Sequence, residues 1–280
     1  GGRGQVASGR WQVAIQNPKS KIQNPKWLGL LLGLGFLTKV TVYIMAPVIL
    51  LAIWRPSPRR RSSFILHPSS LLIFLPAVLL GGLWWGRNLA VYGGLDVLGL
   101  AAHNQVVTGQ PRTAEWIAER GLVPTLSAFA TTTFHSFWGQ FGWMTVPMPE
   151  WVYRPLLLFS LLVVSGLGVA MVRRRPTADG RPIAIPITNY QLSILTSTFL
   201  LNLLLYLAYN VTFVQHQGRY LFPSLIPIGL GVAVGLEGWL RPVVGRRPIV
   251  GYVVAAGLTA ALAGLDLLAL FRFIVPSLSS

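Results

Sequence analysis

Apolar residues in this chain gather into long runs separated by short polar clusters, at 27–54, 69–91, 152–172, 187–209, 220–240 and 249–271. Most of these runs approach the ~20 residues a helix needs to cross ~30 Å of hydrocarbon. The pattern predicts an all-α, polytopic transmembrane bundle with about five full spans and a short helical hairpin in front of them. The hairpin follows from the first run, whose 28 residues would make a single helix of ~42 Å. Basic residues flank both of its ends, Lys19, Lys21 and Lys26 on one side and Arg55, Arg59, Arg60 and Arg61 on the other. One short helix from Trp27 to Leu37, a turn at Thr38 and Lys39, and a second helix from Val40 to Trp54 keep both ends on one side of the membrane. The alternative is one tilted helix, which buries Lys39 near mid-membrane at a cost of ~3 kcal/mol.

Composition agrees with the pattern. Of 280 residues, 53% are hydrophobic and 11% charged, and the mean hydropathy is +0.59, outside the range of soluble domains. A net charge of +16 would suggest nucleic acid in a soluble chain. Here the arginines sit in short loops, as in cytoplasmic segments of membrane proteins, and no nucleic-acid partner is expected. The clusters Arg55 to Arg61, Arg173 to Arg181 and Arg241 to Arg247 place 69–91, 187–209 and 249–271 outward-running and 152–172 and 220–240 inward-running. The cell membrane, inner or plasma, is the expected location, and its lipids are the expected surroundings.

Residues 1–26 form a basic cytoplasmic tail with a near-repeat, IQNPKSK then IQNPKW, and no apolar face, so disorder is expected there. Residues 27–280 make the transmembrane domain, with an outer loop at about 92–151. Within that loop RTAEWIAERGL suits a short helix, Pro124 to Phe137 suits a segment lying along the membrane, and Trp138, Phe141, Trp143 and Trp151 suit interfacial anchoring. The chain has no cysteine, its histidines are dispersed, and it contains no phosphate-binding glycine loop, so neither a metal nor a cofactor is expected. Gly29, Gly33 and Gly35 fit close helix packing.

Three cations fall on the outer side of the spans rather than in the cytoplasmic clusters: Lys39, Arg87 in LWWGRNLAVYG and Arg219 in QHQGRYLFP. Each has a simple role open to it, snorkelling to headgroups. Together they suit a phosphate, because arginine offers a planar fork and lysine a compact charge. Arg219 also stands at the outer end of the helix starting near Tyr220, where free N–H groups favour an anion, and Gly218 would let the backbone approach a ligand. His216 and Gln217 extend this rim as candidate substrate contacts, and Tyr92 does so beside Arg87.

These same residues carry a resemblance. GFLTKVTVYIMAPVILLAIW resembles the "Gly-x-Leu-x-x-Leu-Thr-Lys" hairpin of C-type (family 39-like) membrane glycosyltransferases, the polyprenyl-phosphate-sugar-dependent group. LWWGRNLAVYGGLDVLG resembles their "Trp-x-x-Arg-Asn-x-x-x-Tyr-Gly" passage, QGRYLFPSLIPIGLGVAVGL resembles "Arg-Tyr-x-x-Pro-x-x-Pro", and FWGQFGWMTVP is similar to a segment of large bacterial relatives. The resemblance spans about 27–240. It implies a transferase taking a sugar from a lipid-linked donor at the outer face, with Lys39, Arg87 and Arg219 holding the carrier phosphate. Family members carry an acidic general base in an outer loop upstream of the hairpin, whereas this sequence has only the basic tail there. The chain is therefore expected to be the C-terminal portion of such a protein or an inactive relative. Asp96 and Glu150 are the acids of this chain placed to act as a base; contact with Arg112, Arg120, Arg154 or water is the simpler role for both. The alternatives to a transferase are a transporter or flippase-like protein and a non-catalytic membrane scaffold. Asp266 inside the last span favours transport, unless it pairs with Arg272 or another polar group.

Overall fold

The computed structural model describes residues 24–53, 68–142, 144–173, 189–244, 247 and 249–279. Trp143, the arginines at 55–61 and 174–181, and all of the tail before Asn24 lie outside the described residues. Five helices are long and apolar enough to cross a membrane: Ser70–Tyr92, Glu150–Val172, Tyr190–Thr212, Gly218–Val244 and Ile249–Ser277. Pro25–Thr38 and Val40–Ile53 are shorter apolar helices before them. This is a multi-pass, all-α membrane protein, and its chain divides into two compact units, 1–46 with 53–100 and 47–52 with 101–280.

In the first unit, α1 (Pro25–Thr38) starts on a proline whose missing N–H costs nothing at a first turn. It stops at Lys39, whose backbone is extended at φ −156°, ψ 131°. The Lys39 N–H and the Thr38 hydroxyl both donate to the Gly35 carbonyl, at 3.0 and 2.9 Å, and close the last turn. A 3-10 turn, Val40–Ile44, leads into α2 (Met45–Ile53). The chain reverses here. A straight helix would set residues seven apart ~10.5 Å along its axis, yet Tyr43 stacks on Phe36 with ring centroids 4.5 Å apart and donates from its hydroxyl to the Phe36 carbonyl. The expected hairpin, with its break at Thr38 and Lys39, is present.

The helix α3 (Pro68–Tyr92) packs along α1. A Cβ on Gly29 would collide with the Ile73 backbone, one on Gly33 would lie 2.9 Å from Leu80, and one on Gly81 would lie 3.1 Å from Phe36. Residue numbers rise together along both helices, so α1 and α3 run parallel. Continuing that register sets Lys39 level with the turn from Trp84 to Asn88. Trp85 ties the two together by donating from Nε1 to the Tyr43 hydroxyl at 2.8 Å.

The second unit begins with α4 (Leu100–Val106), α5 (Thr113–Arg120) and α6 (Leu122–Gly139), followed by a two-residue hairpin pairing β1 (Gln140–Phe141) with β2 (Val146–Pro147). The helix expected in RTAEWIAERGL is α5. Next come α7 (Glu150–Arg173), α8 (Asn189–Thr212), a 3-10 turn (Gly218–Ser224) that opens α9 (Leu225–Val244), and α10 (Ile249–Leu268). A π-turn at Ala269–Ile274 leads into α11 (Val275–Ser279). Here too a parallel pair is built on glycine: Cβ atoms on Gly166, Gly235 or Gly238 would fall within the facing helix backbone of α7 or α9. Trp239 crosses the seam to donate to the Leu162 carbonyl at 3.1 Å. Near the start of α7, Tyr153 is buried with Met148, Val152 and Ala269. Its hydroxyl donates to the Gly139 carbonyl at 2.7 Å and accepts from the Met148 N–H at 2.9 Å, pinning the β-hairpin to α7.

Of the polar groups within spans, Asn202 is fully buried and donates to the Tyr220 carbonyl at 3.2 Å. Asp266 is exposed on α10 and does not pair with Arg272. Six residues apart, the two side chains would fall on different faces even of a regular helix.

Candidate functional site

The first group of candidates lies where α3 ends. Arg87 is exposed and its Nη1 donates to the Tyr92 hydroxyl at 2.9 Å and to Asn88 Oδ1 at 3.1 Å. Its guanidinium stands 5.2 Å from the ring centroids of both Trp84 and Tyr92, so two aromatic faces hold the cation without neutralising it. Asn88 beside it is fully buried and donates to the Val97 carbonyl at 2.9 Å. That bond folds residues 93–99 back over the helix end. Gly93 and Gly94 turn the chain with φ of +70° and +60°, a region where an L side chain is strained. Asp96 is half-buried in this turn, where its carbonyl accepts from the Gly99 N–H at 3.0 Å. Arg87, Tyr92 and Asp96 therefore share one helix end, and the α1–α3 register brings exposed Lys39 to the same level.

Removing the Asn88 amide leaves the Val97 carbonyl without its partner. Asn88→Leu is expected to cost about 1–3 kcal/mol and to raise protease cleavage within 93–99, while the neighbouring exposed change Val91→Ala leaves cleavage there unchanged. Equal cleavage of wild type and Asn88→Leu would reject this role.

Arg219 belongs to the second unit. Residues 104–113 fasten onto the end of α8: Thr113 donates to the Asn210 carbonyl at 2.8 Å, Val214 donates to the Pro111 carbonyl at 2.9 Å, and the Arg112 guanidinium lies 4.4 Å from the Phe213 ring. Arg112 also donates to the Asn104 carbonyl, and Arg120 stacks 4.0 Å over Trp116. These two arginines are thus engaged by rings. His216 and Gln217 are buried. The His216 ring meets Trp116 and Phe129 edge-on, with centroids 5.6 and 5.2 Å away. Its backbone carbonyl accepts from Ser136 Oγ at 3.3 Å.

The rim expected across QHQGR is therefore narrower. Gly218 does permit close approach, but to α6: a Cβ there would run into the Thr133 carbonyl and Phe137. The Gly218 N–H donates to Ser136 Oγ at 2.6 Å and the Tyr220 N–H to the Gln217 carbonyl at 3.0 Å. Because these donors are consumed in packing, the helix terminus has little to offer an anion. Arg219 itself is exposed.

Burial holds the His216 imidazole below its ordinary pKa of 6.5. Below about pH 6.5 the unfolded chain takes up a proton that the folded chain refuses, so stability falls as pH drops through that window. Melting of the purified protein is expected to shift downward between about pH 7.5 and about pH 5.5. His216→Phe, which keeps the ring contacts and cannot titrate, should lessen that shift; an undiminished shift would contradict the assignment.

Glu150 opens α7, and its Oε1 lies 3.9 Å from His135 Nε2. The partner is a histidine, not one of the arginines considered from sequence. His135 stacks flat on Tyr153, with centroids 3.7 Å apart and planes 1° from parallel. Of the expected interfacial rings, Trp151 is exposed, whereas Phe141 packs onto the Tyr153 cluster and Trp138 is half-buried near Phe159. No group of three metal-ligating side chains occurs among the described residues. No family model, curated protein or solved structure matches the chain.

Proposed function

We propose that this chain is a membrane glycosyltransferase of the C type, or its C-terminal part, acting on a polyprenyl-phosphate sugar at the outer face of the cell membrane. The observation that carries the proposal is the end of α3, where an exposed guanidinium is held between two rings in a membrane helix bundle, with Lys39 level with it. Rings keep Arg87 in place and leave its charge available for a phosphate, which an aspartate partner would not do. Arg219, in the second unit, is proposed by itself as a further phosphate-binding cation. Asp96, in the turn covering the same helix end as Arg87, is the acid best placed to receive a proton from an acceptor hydroxyl; Glu150 is the second.

The test is binding of a polyprenyl-phosphate hexose to the purified protein in detergent, against the same prenol without phosphate. Saturable binding that is at least about tenfold tighter with the phosphate supports the proposal. Equal retention of the two lipids would sink it. The topology on which the site depends has its own check. Cysteines introduced singly at Ser62 and Thr108 are expected to differ in labelling by an impermeant thiol reagent on intact cells, Thr108→Cys reacting and Ser62→Cys not. Equal labelling would reject the outer placement of 92–151.

A further inference from the structure

The character of the chain changes at Gly121, where φ is +87°. Before it, α5 carries Glu115, Glu119 and Arg120, whereas the 18 residues of α6 contain no Asp, Glu, Lys or Arg. The free face of α6 is apolar: Leu122, Val123 and Leu126 are 56%, 75% and 55% exposed, and Ala130 beside them is exposed too. On a regular helix these four residues span an arc of about 100°, and Thr133 and Phe137 continue the same stripe. Water is an unfavourable neighbour for such a surface.

The far end of the stripe shows which way it points. Phe137 meets Phe222 edge-on, with centroids 5.8 Å apart, and Phe222 lies four residues inside the span Gly218–Val244. Thr133 shares a hydrogen bond of 2.6 Å with the Tyr206 hydroxyl, and Tyr206 lies six residues, or ~9 Å, before the end of the span Tyr190–Thr212. The apolar surface runs on through Phe222 to Leu225 and Ile226, all three exposed on a membrane-crossing helix. It is therefore continuous with surface that lipid covers. We propose that α6 is an interfacial helix whose Leu122, Val123, Leu126 and Ala130 sit among the acyl chains of the leaflet where α8 ends and α9 begins, ~5–10 Å into the headgroup–acyl boundary. Another face of α6 is bonded to the chain, with Ser136 Oγ receiving the Gly218 N–H at 2.6 Å and donating to the His216 carbonyl at 3.3 Å. Lipid on one face thus helps to hold α6 against the buried His216 and Gln217 on the other.

The chain has no cysteine, so single cysteines report on single positions. The test uses the full chain in lipid nanodiscs, both faces of which meet water, with Val123→Cys, Leu126→Cys or, as control, Glu119→Cys at an exposed position of α5. A charged thiol reagent is expected to modify the two stripe cysteines at least about tenfold more slowly than Glu119→Cys. A fluorophore attached at either stripe cysteine should be quenched by phosphatidylcholine carrying a nitroxide on its acyl chain, and one attached at Glu119→Cys should not. Modification of either stripe cysteine as fast as the control would overturn the proposal, because the stripe would then face water. Slow modification without quenching would overturn it equally, since protein, either a second copy or another segment of this chain, would then cover the face.

Discussion

Gly235→Leu is expected to destabilise the protein by at least the ~1–3 kcal/mol typical of overpacked cores, seen as a large drop in melting temperature in detergent. The cause is backbone against backbone. A Cβ on Gly235 would fall on the Val163 carbonyl and one on Gly166 would fall on the Gly235 carbonyl, so a side chain at either place separates α7 from α9 along the whole seam. Separation would also break the bond from Trp239 to the Leu162 carbonyl. In a bilayer no water-driven collapse compensates, because lipid tails are as apolar as the helix faces, and van der Waals fit carries the association. Gly235→Ala should have a smaller effect of the same sign. Gly229→Leu on the same helix is the control, since a Cβ there meets nothing within 4 Å. If Gly229→Leu and Gly235→Leu melt alike, the glycine seam is not what joins these helices.

The second large effect concerns ligand binding. Arg219→Ala is expected to remove a charge-assisted hydrogen bond worth ~1.5–3 kcal/mol, weakening retention of polyprenyl phosphate by about one to two powers of ten. Arg87→Ala should act similarly. Both side chains are exposed, so melting should change little, which separates lost binding from lost fold. Arg219→Lys should recover only part of the loss, because an ammonium keeps the charge and lacks the planar fork. A Lys39→Ala effect of like size would support the level that the α1–α3 register gives that lysine. Binding unchanged in both arginine variants would remove the cation site from the proposal.

Span positions were legible in the sequence because length and apolarity alone decide them. The break at Lys39 was legible too, since a charge in the middle of an over-long run forces a choice between burial and reversal. Gly29 and Gly33 announced close packing, but their partners, Ile73 for the first and Leu80 for the second, did not appear in any local pattern: which helix faces a glycine depends on the fold. The segment QHQGR was read as one polar rim because polarity was taken as exposure. His216 and Gln217 are nevertheless buried, the histidine as a neutral ring among Trp116 and Phe129, and the glycine serves α6. The helical spacing of Trp116 within α5 offered no hint of that contact, which links residues a hundred positions apart. Asn88 was present in the quoted motif, yet only the geometry shows that it holds down the turn bearing Asp96. The π-turn at Ala269–Ile274 has no sequence signature.

The central claim is that a lipid-linked phosphate is bound by exposed cations of this chain, Arg87 in the first unit and Arg219 in the second, each taken by itself. Its most direct test is photo-crosslinking of the full chain in membranes with a polyprenyl-phosphate analogue carrying the photoreactive group beside the phosphate, followed by mapping of the labelled peptides. Label concentrated in 84–99 and 215–224, and competed away by unmodified polyprenyl phosphate, is the predicted result. Label spread over the spans, or lying in peptides that contain neither Arg87 nor Arg219, would contradict it.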